Sequence, residues 1–180
     1  MKQIKTLSIY IVLFITFALT SCSTSENSNN AAHDVLQRTF GEHGDKFRLV
    51  LIEDTDAEND WFKIDVQNNV ATIEGNSQVA LTKGAYHYVK AASLANISWE
   101  GNRIDIPAEM PNYSSATIES SVKYRMYLNQ CAFGYTTVWW DWDRWEKEID
   151  WMALHGINNP LISMGQEAIW QEVWASFGIS

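Results

Sequence analysis

Two short clusters carry the residues best suited to holding a polar ligand. Asn129, Gln130 and Cys131 follow the apolar-rich run Lys123-Tyr124-Arg125-Met126-Tyr127-Leu128, and Ser163 to Glu167 follow the short apolar stretch from Ile157. Asn, Gln and Glu side chains give directional hydrogen bonds to hydroxyl-rich ligands. Metal chemistry is not indicated, because His33, His43, His87 and His155 are scattered without ligand spacing and only Cys22 and Cys131 supply thiols. Glu53, Asp54, Asp56, Glu58 and Asp60 crowd together. They lack the glycine and closing glutamate of a calcium loop and read as a solvated acidic turn. No cofactor motif is present.

The elements around these clusters follow an α/β rhythm. The first cluster is preceded by a strand pattern, and Asp141 then caps a helix with Trp142, Trp145, Ile149 and Met152 on one apolar face. Glu146, Lys147, Glu148 and Asp150 fall mostly on its other faces, and Gly156 stops it. A second strand runs to Ser163. A second helix follows Gly165, with Ile169, Trp170, Val173, Trp174 and Phe177 on one side. Short connections between such units require parallel neighbours, in a doubly wound sheet or a barrel. At helical spacing, Trp142, Trp145, Trp170 and Trp174 are expected in the core, while Trp139 and Trp140 lie near the loop and are the better candidates for ligand contact.

Upstream, the pattern is helix, strands, helix. Val35, Leu36 and Phe40 give a short helix an apolar stripe. Strands are predicted at 47–52, 61–66 and 70–75, the last two joined at Asn68-Asn69, and Ser77 caps a helix running from Gln78 to about Leu94. This is a small α+β domain over about 31–117, with 104–117 read as the linker out.

The first thirty residues read as an address. Lys2 and Lys5 precede an apolar run from Leu7 to Leu19, shorter than a membrane span, and Leu19-Thr20-Ser21-Cys22 closes it. That ending is similar to a bacterial lipobox, so residues 1–21 are expected to be a signal peptide and Cys22 the lipidated residue. Residues 22–30 form a polar tether. The expected location is the cell envelope, outer membrane or cell surface of a bacterium, with the membrane engaged through Cys22. The net charge of −9 argues against nucleic acid as a partner.

The run from Tyr127 to Cys131, the stretch Gly134-Tyr135-Thr136-Thr137-Val138-Trp139-Trp140-Asp141-Trp142-Asp143-Arg144-Trp145 continuing to Asn158, and Gly165-Gln166-Glu167-Ala168-Ile169-Trp170 strongly resemble the α-N-acetylglucosaminidases of glycoside hydrolase family 89. The resemblance covers about the last third of the chain. It implies a (β/α)8 barrel, so the fold expected is an α+β leading domain (31–117) followed by α/β, the first two units of an incomplete barrel (118–180). It also implies removal of terminal non-reducing N-acetyl-α-D-glucosamine from glycans with retention, by two carboxyl groups ~5 Å apart. In the family these are glutamates on later strands with no counterpart here, so the 180 residues alone are expected to be inactive and to contain no catalytic residue. Asn129 and Cys131 match pocket residues, and Gln166 and Glu167 match the motif after the second strand; all four are expected to bind substrate. A rival reading is a surface lipoprotein that binds amino sugars without cleaving them.

Overall fold

Alternation is the dominant pattern in the first half of the chain. In β2 (Trp61–Gln67) Phe62, Ile64 and Val66 are buried while Lys63, Asp65 and Gln67 face solvent. β3 (Val70–Gly75) returns with Ala71, Ile73 and Gly75 buried. Asn68 and Asn69 join them with φ of 51° and 65°, the left-handed pair a tight hairpin needs. The computed structural model describes residues 31–163 and 165–179. The signal, tether and Cys22 readings therefore lie outside the described residues.

The leading sheet is mixed. β1 (Phe47–Leu51) pairs parallel with β3, which pairs antiparallel with β2. The outer edge of β2 is covered by two short antiparallel strands, β6 (Tyr113–Ser114) and β7 (Ile118–Glu119). Helices α1 (Ala31–Phe40) and α2 (Gln78–Ala91) contribute Leu36, Phe40, Leu81, Ala85 and Val89 to the core over one face. Ser77 caps α2 as expected, its Oγ accepting from the Ala80 N–H at 3.0 Å.

Residues 104–117 are not a linker. Ile106 and Met110 are buried in the leading core, and Ser115 Oγ accepts from the Ile64 N–H at 3.1 Å. The sheet continues through β7 at 118–119. A proline-bearing stretch reads as a connection, but here it packs on the leading core: the Pro111 carbonyl accepts from the Tyr88 hydroxyl at 2.8 Å, and Tyr113–Ser114 then edges β2. β4 (Ala95–Ser98) and β5 (Gly101–Ile104) form a separate hairpin.

Gly84 marks the closest helix–sheet approach. A Cβ there would lie 2.7 Å from Ile73 Cγ2 and 3.1 Å from Phe62 Cδ2. We expect Gly84→Ala to lower stability by about 1–3 kcal/mol through overpacking. Thermal melting checks this; an unchanged Tm would contradict it.

Downstream, β8 (Met126–Tyr127) and β9 (Asn159–Pro160) pair parallel, with Met126 opposite Asn159 and Tyr127 opposite Pro160. Between them lie α3 (Ala132–Tyr135) and α4 (Trp142–Leu154). Asp141 caps α4, accepting from the Arg144 N–H at 2.9 Å, and Gly156 leaves it at φ +77°. The last helix is α5 (Gln166–Ser176).

The face of α4 differs from expectation. Trp145 and Met152 are buried, but Trp142 is 65% exposed and Ile149 is exposed, while Glu148 and Asp150 are buried. Trp170 and Trp174, expected in the core, are exposed on α5, stacked on each other at 5.9 Å. The burial of Glu148 and Asp150 has a local cause. Arg38 on α1 grips Asp150 through two bonds of 2.8 and 2.6 Å, and Tyr127 and Arg144 satisfy Glu148.

Thus α4 packs on the leading segment rather than standing apart from it, and Ala31–Ser180 forms one compact unit. Thr82 Oγ1 donates to the Ala153 carbonyl at 2.8 Å, and Leu154 joins the leading core. His155 stacks on Trp151 at 4.1 Å and meets Tyr86 at 4.9 Å. Burial lowers the pKa of His155 and of His87 below the ordinary 6.5, with nearby Lys90 acting the same way on both. The folded state thus favours neutral rings, and stability is fully present above pH ~6.5 and falls as pH drops from there toward the folded pKa values. Urea titrations at pH 7.5 and 5.5 should show the lower midpoint at pH 5.5. A higher midpoint there would contradict this reading.

Candidate functional site

The parallel pairing of β8 and β9 fixes where the two sequence clusters emerge. Parallel strands end on the same side, so Asn129, after β8, and Gly165-Gln166, after β9, both follow the C-terminal edge of the pair. Leu128 turns the chain there at φ +66°, a left-handed conformation unusual for a bulky side chain and costing about 1–3 kcal/mol.

Asn129 holds the turn that follows. Its Oδ1 accepts from the Ala132 N–H at 3.0 Å, tying down the entry to α3. Asn129 remains exposed and lines an open cleft of about 480 Å³, together with Tyr127, Tyr135, Thr137, Trp140 and, from the β4–β5 turn, Trp99. The cleft is aromatic and hydroxyl-bearing, and none of its lining residues is a carboxylate. It can hold a sugar, with amide and hydroxyl groups for polar atoms and rings for apolar faces.

The other candidates sit differently. Cys131 is exposed beside Asn129, a free thiol at the start of α3, but is not part of the cleft wall. Gln166 and Glu167 are exposed in the first turn of α5, also outside the wall. Of the two loop tryptophans, Trp140 lines the cleft, with the Arg144 guanidinium 3.9 Å from its ring centre. Trp139 is 84% exposed and is not part of the cleft wall.

Beneath the cleft lies a buried polar support. The Tyr127 hydroxyl donates to Glu148 Oε1 at 2.8 Å, and Arg144 Nη2 meets Glu148 Oε2 at 2.8 Å. Burial, and then the Glu148 carboxylate, raises the Tyr127 pKa well above the ordinary phenol value, so Tyr127 serves as a neutral donor. This network fixes Tyr127, and with it the strand that delivers Asn129.

A second anchor was hidden in the acidic turn. Asp60, read from sequence as solvated, pairs with Arg125 Nη2 and accepts from Ser77 Oγ at 2.8 Å. Arg125 also donates to the Gly156 carbonyl and, through Nη1, to Val122 at 3.0 Å and Ser120 Oγ at 3.2 Å. No local pattern announces this hub, because its partners lie up to 65 residues away.

Among the described residues no group of three or more His, Cys, Asp or Glu could hold a metal ion, and no helix is long and apolar enough to cross a membrane.

Comparison with known proteins meets this geometry. The model of the alpha-N-acetylglucosaminidase (NAGLU) N-terminal domain matches residues 30–112, and that of the NAGLU tim-barrel domain matches residues 125–180. Human alpha-N-acetylglucosaminidase is 40% identical over 109 residues, 60% of this chain and 15% of that protein. A family 89 glycoside hydrolase from Clostridium perfringens, solved with its substrate GlcNAc-α-1,4-galactose, superposes with TM-score 0.75 at 30% identity, over 84% of this chain and 17% of its own. The Clostridium perfringens family 89 enzyme bound to PUGNAc gives the same score over 18% of its length. The chain therefore spans about a sixth of the length of these relatives. With both domain models matched in order along one mixed α/β chain, it belongs to the α-N-acetylglucosaminidase family, glycoside hydrolase family 89.

Proposed function

We propose that the protein carrying these residues removes terminal non-reducing N-acetyl-α-D-glucosamine from glycans with retention of configuration. Its export through residues 1–21, and a lipid anchor at Cys22 on the bacterial envelope, belong to the same proposal. β8, α4, β9 and α5 are read as the first two units of a (β/α)8 barrel, whose ligands gather at the C-terminal ends of its strands. The observation that carries the reading is the parallel β8–β9 pair, with Asn129 at its C-terminal edge in an aromatic cleft. The related Clostridium perfringens structure, solved with an α-linked N-acetylglucosaminyl disaccharide described as its substrate, supports the choice of glycan.

In this reading Asn129 holds the sugar from the cleft wall, Cys131, Gln166 and Glu167, which lie outside that wall, contact parts of the glycan that project from it, and the carboxyl pair that retention requires comes from residues outside the cleft seen here. The cleft wall has one amide, hydroxyls and rings but no carboxyl group. The 180 residues alone should thus release no aryl alcohol from an aryl N-acetyl-α-glucosaminide. Turnover by this chain would overturn the assignment of the carboxyl pair elsewhere.

A further inference from the structure

Arg144 stands behind the aromatic cleft rather than in it. It occupies the first turn of α4, and the cleft wall contains neither Arg144 nor Glu148. Its guanidinium centre lies over the Trp140 ring, 3.9 Å from the ring centre, so it covers one face of an indole that does line the cleft. A planar guanidinium at that distance stacks on the ring and is attracted by its electron-rich face. The buried Trp145 indole meets Trp140 at 5.0 Å and 69°, so the ring is held from a second direction. A sugar in the cleft can use only the part of Trp140 that these two leave free.

Arg144 is in turn held. Its Nη2 meets Glu148 Oε2 at 2.8 Å, and the Glu148 side chain is 1% exposed. The other carboxylate oxygen, Oε1, accepts from the Tyr127 hydroxyl at 2.8 Å. Tyr127 and Trp140 both line the cleft. One buried carboxylate therefore fixes two rings of the wall, Tyr127 directly and Trp140 through Arg144. An ion pair of this spacing on an open helix face contributes little. This one has a buried carboxylate at one end and a ring of the cleft at the other. Asp141 accepts from the Arg144 N–H at 2.9 Å, so the helix that carries Arg144 starts within two residues of Trp140.

We propose that Arg144 is a positioning residue for the cleft: anchored by Glu148, it holds Trp140 in the orientation that packs against the apolar face of the bound sugar. This role rests on the sugar binding proposed above for the same cleft. Arg144 touches neither the sugar nor the reacting atoms. Its contribution is the same in the ground state and the transition state, and so falls on KM rather than kcat.

The test is steady-state kinetics on an aryl N-acetyl-α-glucosaminide, with the protein produced from the whole reading frame that carries these residues. Arg144→Lys keeps a cation for Glu148 but loses the planar stack on Trp140. It should melt close to the parent and raise KM about fivefold, with kcat changed less than about twofold. Trp140→Ala should raise KM about tenfold. Arg144→Lys added to it should raise KM no further, because the ring it orients is gone. Arg144→Lys by itself keeps the test decisive if Trp140→Ala unfolds. A merely structural arginine would instead lower the melting temperature and add its effect to that of Trp140→Ala. With an active parent, an unchanged KM in Arg144→Lys, a fall in kcat alone, an early melt or an additive double variant would each overturn the positioning role and leave the sugar-binding reading standing. A folded parent without turnover would overturn that reading and the positioning role with it.

Discussion

Replacing Arg125 with alanine is expected to cost roughly 3 kcal/mol of stability, read as a lower denaturant midpoint with little change in slope. The arginine and Asp60 side chains are only 12% and 17% exposed. Removing the arginine leaves the Asp60 carboxylate poorly solvated and strips the Gly156, Val122 and Ser120 groups of their shared donor. Arg125 immediately precedes β8 and reaches back to the turn before β2. The same change should therefore loosen the junction between the leading sheet and α4. Arg125→Lys keeps the charge but loses the planar fork, and an intermediate loss is expected. A midpoint unchanged in Arg125→Ala would show that the hub contributes nothing.

The second large effect concerns Asn129. Its side chain has two roles that substitution can separate. The Oδ1 atom accepts from the Ala132 N–H and so orders the loop, and the residue lines the cleft, where the amide nitrogen is the donor it can offer a ligand. Asn129→Asp keeps the acceptor and removes the donor. In the protein produced from the whole reading frame that carries these residues, this variant should melt like the parent. Its kcat/KM should fall on the order of 100-fold, the scale of a lost positioning contact to substrate. A variant with normal kcat/KM would reduce Asn129 to a loop-ordering residue. One that melted early would assign its importance to the fold.

Much of the fold could be read from short-range signals. Ser77 and Asp141 cap helices where side-chain oxygens precede apolar periodicity, and Asn68-Asn69 turns the hairpin between two alternating strands. The position of Asn129 also followed, since it needed only a strand before it and a parallel partner.

What escaped has a common physical cause: partners distant in sequence. Glu148 and Asp150 look solvent-facing on a helical wheel, yet Tyr127, Arg144 and Arg38 make their burial possible. β6 and β7 are two-residue edge strands whose hydrogen bonds belong to β2, so no periodicity of their own could reveal them. Trp99 reaches the cleft from a polar hairpin nearly thirty residues before it, with no strand pattern to mark it. The exposed tryptophans of α5 kept helical spacing, but spacing reports a face and not what covers it.

The most direct test of the account is to follow, by proton NMR, the product of the whole reading frame acting on an aryl N-acetyl-α-glucosaminide. Hydrolysis is expected with α-N-acetylglucosamine appearing first and the β-anomer only later by mutarotation, together with no cleavage of the β-linked aryl glycoside. A folded protein that leaves the α-glycoside intact, or that releases the β-anomer first, would contradict it.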